Sequence, residues 1–296
     1  MPRIVSFLPA GTEIVHALGA GDQLVGRSHE CDFPASVQAL PIVSRPTIDL
    51  DGASAAGIDQ AVATRLDAGH SLYAIDEVLL EELRPDVILT QNLCRVCAPS
   101  GDELTRAVRK FRMQPSILFL TPRSLAEIEE NIIAVGEAIG RERDAAALVA
   151  VNRERMEAVS LAVRDAPTRK VSFLEWTEPL FCAGHWVPEM IALAGGHDAL
   201  GKPGGDSVRI EWSDVLMQSP ENVIVSPCGY RLEQSVSLAT HLPAIPNATV
   251  YAVDANAYFA RPGPRVAEGV ELLGHLFHPD RVSWNSPIQP WARLGQ

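Results

Sequence analysis

The sequence predicts an α/β protein of two lobes joined by one long helix, and three observations carry that prediction. In "RIVSFLPAGTEIVHALGAGDQLVG" (residues 3–26) a β-branched strand run leads through a polar turn into a helical pattern ending at Gly19. "KVSFLEWTEPLFCAGHWVPEMIALAGGHDALG" (170–201) repeats that order and ends its helix at Gly195-Gly196. A second echo pairs "LRPDVILTQNLC" (83–94) with "QSPENVIVSPCG" (218–229). In each, a helix stops at a proline and a short apolar strand delivers a cysteine to its carboxyl end. Between the halves, residues 124–165 contain no proline and keep apolar residues at helical spacing.

In chain order, the N-terminal α/β lobe spans 1–123, with extra residues around "SAAGIDQAVATRLDAGHSLYAID" that predict an added helix. The connecting helix, 124–165, opens on a capping box of Ser124 and Glu127. It continues through Leu125, Ile128, Ile132, Val135, Ile139, Leu148, Val149, Met156 and Val159. Its length is about 60 Å at 1.5 Å per residue. The heptad register drifts across "GRERD", so a rigid strut is expected rather than a coiled coil. The C-terminal α/β lobe, 166–296, includes "GKPGGDS" (201–207), which lacks phosphate-loop spacing and reads as a flexible connection. A closing helix follows in "RPGPRVAEGVELLGHLFHPDR" (261–281), apolar at Val266, Val270, Leu273, Leu276 and Phe277. The tail "VSWNSPIQPWARLGQ" reads as irregular.

The chain is 47% hydrophobic and 21% charged, the balance of a soluble globular protein. Its net charge of -12 and pI near 5.1 argue against nucleic-acid binding, which needs a basic face. No run approaches the roughly 20 apolar residues that span a bilayer, so direct membrane insertion is not expected. "MPRIVSFLPAGTEIVHALGAG" shows no basic region, apolar core or cleavage site of a leader. Five cysteines make an odd count, and both features set the expectation of a cytoplasmic protein. No Ser-His-Asp or nucleophile-elbow pattern appears, and nothing demands a paired general acid and base.

The stretches "RIVSFLPAGTEIVHALGAGDQLVGRSHECDFP", "LLEELRPDVILT", "LFCAGHWVPEMIALAGG" and "VLMQSPENVIVSP" carry a resemblance over nearly the whole chain. In pattern and order they resemble the class III periplasmic-binding-protein-like family, the helical-backbone metal receptor fold, in its cobalamin-binding branch. The resemblance implies Rossmann-like lobes with a ligand cleft between them, largely preformed and lined by the loops that follow the strands. Those loops are "GRSHECDFP" (26–34), "QNLCRVC" (91–97), "EWTEPLFCAGHW" (175–186) and "SPCGYR" (226–231). Candidate ligand-binding residues are His29, Glu30, Cys31, Asn92, Cys94, Cys97, Cys182, His185, Trp186, Cys228, Tyr230 and Arg231. The expected cargo is cobalamin, another corrinoid or a similar metal chelate, stored, sensed or passed to a permease or a corrinoid-dependent enzyme. Exported members dock on a permease through one surface carboxylate per lobe, and Glu103 and Asp214 stand near those places.

All five cysteines fall in these loops. Cys94 and Cys97 have zinc or redox spacing, and Cys31 with Cys228 would complete four thiolates for zinc or an iron–sulfur cluster. A set of Cys31, Cys94 and Cys97 alone would leave an open position. Thiolates could instead face a soft metal centre, the cobalt of a corrinoid or a haem-like iron. His29 and His185 offer imidazoles. Trp186 and Trp176 either stack on a ring system or close the core, while Trp212 reads as helix packing. Tyr230 and Arg231 could face a carboxamide or phosphate. A ligand-binding protein without catalysis is the expectation. The alternative is a cytosolic enzyme on the same scaffold using a Cys-ligated metal or the Cys94/Cys97 thiols. A further reading is an importer component whose leader is cleaved.

Overall fold

The computed structural model describes residues 1–50, 52–68, 70–91, 104, 108, 109 and 114–295. The chain divides into two compact units, 1–122 with 126–150, and 123–125 with 151–296. Each is an α/β lobe around its own six-stranded sheet.

In the first unit the strands are β1 (Ile4–Ser6), β2 (Leu24–Ser28), β3 (Ile42–Pro46), β4 (Tyr73–Ile75), β5 (Val87–Thr90) and β6 (Ser116–Phe119), in the order β4-β3-β2-β1-β5-β6. All neighbours are parallel except the β3–β4 edge. β1 and β5 are buried along their whole length, as strands must be when helices cover both faces. The helix Pro9–Ala17 follows β1 and packs closely: a Cβ on Gly11 would stand 2.9 Å from Ser6 Oγ and 3.1 Å from Leu89 Cβ. The helix Ala55–Asp67 fills the segment expected to add one.

The second unit holds β7 (Arg169–Thr177), β8 (Leu180–Cys182), β9 (Gly196–Asp198), β10 (Asn222–Val225), β11 (Thr249–Val253) and β12 (Trp291–Leu294). Their path is β12-β11-β10-β7-β8, with β9 parallel to β7. The internal echo survives in the pairing: β1 lies parallel to β5 as β7 lies parallel to β10. The helices Glu77–Leu83 and Trp212–Gln218 both end on a left-handed residue, Arg84 (φ 44°) and Ser219 (φ 47°), immediately before a proline. The echo departs where β7 turns back into antiparallel β8 before its helix, Val187–Leu193.

Three sequence expectations are corrected. Residues 124–165 form two helices, Leu125–Ile139 and Glu142–Val163, not one strut. Gly140 adopts φ 70°, the left-handed geometry that closes a helix, and Arg141 N–H returns to Gly136 O at 2.7 Å. The unit boundary at 150/151 then falls inside the second helix, so the connecting segment is shared between units rather than standing apart. "GKPGGDS" is fastened, not loose: Gly204 N–H donates to His185 O, His185 N–H to Gly205 O, and Cys182 N–H to Val208 O. The tail is not irregular throughout, because β12 pairs antiparallel with β11 from Val250↔Leu294 to Val253↔Trp291. The closing helix, Val266–Phe277, buries all five apolar positions expected of it.

Candidate functional site

In a parallel sheet the loops at the carboxyl ends of the strands carry function. In the first unit the loop after β2 is organised by Arg27. The residue is 7% exposed, and its guanidinium donates to the carbonyls of Ser28 (3.0 Å), His29 (3.3 Å), Cys31 (3.0 Å) and Gln38 (3.1 Å). The loop therefore takes its shape from one fork of donors. His29 stands half-buried with Nδ1 3.1 Å from Ser44 O, its ring 5.6 Å from that of Tyr73. Burial, with Arg45 and Arg27 nearby, pushes its pKa below 6.5. Glu30 Oε1 lies 3.8 Å from His29 Nε2.

Cys31 corrects the sequence reading. It has no exposed surface, and Thr12 Oγ1 donates to its sulfur at 3.0 Å. The residue is a small buried hydrophobe under the helix Pro9–Ala17 rather than a thiol facing a ligand. Asn92, Cys94, Cys97 and Glu103 lie outside the described residues.

In the second unit the organising group is a carboxylate. Glu175, near the end of β7, accepts from Gly184 N–H at 3.0 Å and from the Ser207 hydroxyl. The strap 204–207 is thereby tied to the loop after β8. His185 sits in that loop at φ 52°, a left-handed conformation held by its two backbone bonds to Gly204 and Gly205. Its Nε2 is 3.6 Å from Asp206 Oδ1, and Arg123 pairs with the same oxygen at 3.0 Å. Burial pushes the His185 pKa down, against the pull of Asp206.

Trp186 is 6% exposed and donates its indole N–H to Phe259 O at 3.0 Å, so it closes the core and does not stack on a ligand. Cys182 is likewise interior, at 1% exposure, and burial pushes its thiol pKa up. Trp212 packs on the core cluster, as expected. Cys228 is exposed, two residues before Tyr230. Tyr230 meets Trp176 edge-to-face at 5.3 Å, and Asn256 Nδ2 donates to Gly229 O at 2.9 Å. Arg231 is exposed at the start of the helix Leu232–Ala239, its N–H donating to Gln234 Oε1 at 3.1 Å. Asp214 accepts from Glu211 N–H at 2.8 Å and caps its own helix.

The sequence reading missed Arg27, Glu175, Ser207, Asp206 and Asn256: Arg27 and Asn256 donate to backbone carbonyls, Glu175 accepts from a backbone N–H and the Ser207 hydroxyl, and Asp206 meets the side chains of His185 and Arg123. Among the described residues no group of three or more His, Cys, Asp or Glu side chains could hold a metal ion.

The periplasmic binding protein family model matches residues 4–257. The chain belongs to the periplasmic binding protein family. A vitamin B12-binding protein of Vibrio vulnificus (strain CMCP6) is 24% identical over 282 residues, covering 93% of this chain and 89% of that one. Among solved structures, the periplasmic vitamin B12-binding protein of Vibrio cholerae superposes with TM-score 0.65 at 22% identity, covering 92% and 95% of the two chains. A periplasmic haem-binding protein of Pseudomonas aeruginosa gives TM-score 0.70 at 18% identity, covering 100% and 99%. The two-lobe fold of the family is thus this chain's fold, and the expected likeness to the cobalamin-binding branch is met by the relatives. As a member of this family the chain is a ligand-binding protein.

Proposed function

We propose that this chain binds a corrinoid. The observation that carries the proposal is the match to a vitamin B12-binding protein over 93% of the chain. The geometry supports it. A corrin ring offers broad apolar faces and a rim of carboxamides. The edge-to-face pair of Trp176 and Tyr230 supplies aromatic surface for the first. The exposed guanidinium of Arg231 supplies donors for the second.

We assign the exposed thiol of Cys228, two residues before Tyr230, to the same ligand surface. An exposed free thiol also fits a reducing compartment, and we place the protein in the cytoplasm, with a permease or a corrinoid-dependent enzyme as recipient. Calorimetric titration with hydroxocobalamin, cobinamide and haemin tests the proposal. One corrinoid per chain, bound more tightly than haemin, is the expected result. No heat with either corrinoid, or tighter binding of haemin, would overturn it.

A further inference from the structure

Resting on the corrinoid reading, we infer that His29 Nε2 is an axial ligand to the cobalt of a bound corrinoid whose axial position is open or exchangeable. Ser44 O fixes the imidazole. It accepts the His29 backbone N–H at 3.3 Å and lies 3.1 Å from Nδ1. A carbonyl oxygen can only accept, so in the neutral ring Nδ1 carries the hydrogen and Nε2 keeps its lone pair. A carbonyl holding the far nitrogen of an imidazole is the usual support behind a metal-bound histidine, because it sets both tautomer and ring orientation.

Nε2 makes no hydrogen bond among the described residues; the Glu30 carboxylate stands 3.8 Å from it and must give way when the metal binds. The loop beneath it is held by Arg27 through the His29 carbonyl, and Tyr73 flanks the ring. Other described donors are poorer. The Cys31 sulfur is sealed in the core under Thr12. His185 has no carbonyl fixing either ring nitrogen among the described residues, and its Nε2 lies 3.6 Å from the Asp206 carboxylate that Arg123 also pairs with. The chemistry is a ligand exchange. The cobalt–oxygen bond to axial water breaks, the cobalt–nitrogen bond forms from the Nε2 pair, water leaves, and no electron is transferred.

The probe is cob(II)inamide, which has no base of its own to occupy the axial site, with the complex read by electron paramagnetic resonance. Bound to the wild-type chain, it is expected to show nitrogen superhyperfine splitting on its cobalt lines. His29→Gln keeps an amide donor for Ser44 O but removes the ligating nitrogen. This variant should bind cob(II)inamide and lose the splitting. Splitting that persists in the variant, or a bound wild-type complex without it, would overturn the inference while leaving corrinoid binding intact. If neither protein gives a cobinamide isotherm, the corrinoid reading itself fails and takes this inference with it.

Discussion

Replacing Arg27 with methionine keeps an unbranched apolar stem of similar reach and deletes the donor fork. Four carbonyls, those of Ser28, His29, Cys31 and Gln38, then lose a charged partner at 3.0–3.3 Å. Hydrogen bonds to charged groups contribute about 1.5–3 kcal/mol each, and a buried acceptor left bare costs about 1–3 kcal/mol. Against that, the substitution also removes a charge from the interior, which relieves a desolvation penalty of several kcal/mol. Not every carbonyl stays dry once the loop relaxes. The expected net loss is about 2–4 kcal/mol, in the range of broken buried networks. With urea slopes of about 1–3 kcal/mol per molar, the midpoint should fall by about 1–2 M. The assay exploits tryptophan placement: all five, at 176, 186, 212, 284 and 291, lie in the second unit. Far-ultraviolet circular dichroism follows both units, whereas tryptophan fluorescence follows the second alone. The dichroism transition should move to lower urea, and corrinoid affinity should fall with it. A dichroism midpoint within experimental error of the wild type would refute the view that this guanidinium shapes the loop.

Native alkylation with iodoacetamide at neutral pH should label Cys228 and spare Cys31 and Cys182, as read by peptide mass spectrometry. Labelling of either interior cysteine in the folded protein would contradict its placement. Burial lowers the pKa of His29 and His185 below 6.5, so near and below that pH the folded chain binds fewer protons than the unfolded one. Stability is therefore kept above about pH 6.5 and lost as pH falls below it. His29→Gln should flatten that loss in a series of urea melts, and an unchanged or steeper loss would count against the sign. Gly184→Ala puts a Cβ against the backbone nitrogen of Ser207, with Asp206 C at 2.7 Å. The strap must then shift, at a cost of about 1–3 kcal/mol for overpacking. Fluorescence-detected urea melts should show that loss, and a midpoint equal to the wild type would mean that the strap is not clamped there.

What the sequence made legible was local and periodic. The closing helix showed itself because Val266, Val270, Leu273, Leu276 and Phe277 recur at helical spacing on a single buried face. The paired strands β5 and β10 were readable because each is a short apolar run preceded by a helix stop at proline. Gly140 was visible as a break in register, yet periodicity continued on both sides, and only the backbone dihedral distinguishes a bend from a drift. The strap 204–207 could not be read, because the bonds of Gly204 and Gly205 run from backbone to backbone, which any residue types could make, and the Ser207–Glu175 bond joins positions that no motif links. Cysteine placement misled for a related reason. Position in a loop-like stretch says nothing about which way a small apolar side chain turns, and Cys31 and Cys182 turn inward.

The two units solve the same local problem with opposite charge. At the end of β2 the loop turns carbonyl groups inward, and a cation, Arg27, gathers them. At the end of β7 the loop and strap turn donors inward, from Gly184 and Ser207, and an anion, Glu175, gathers those. Neither loop has a regular hydrogen-bond ladder to hold it, so removing the central ion would leave several polar groups unpaired at once. That cost fixes the loops before any ligand arrives. Of the histidines they carry, His29 is held by Ser44 O of β3 and His185 by its backbone bonds to Gly204 and Gly205. A site whose contact residues are already held loses little conformational entropy on binding, and more of the contact energy appears as affinity. Loosening Arg27 should therefore weaken binding at His29 even though Arg27 need not touch the ligand.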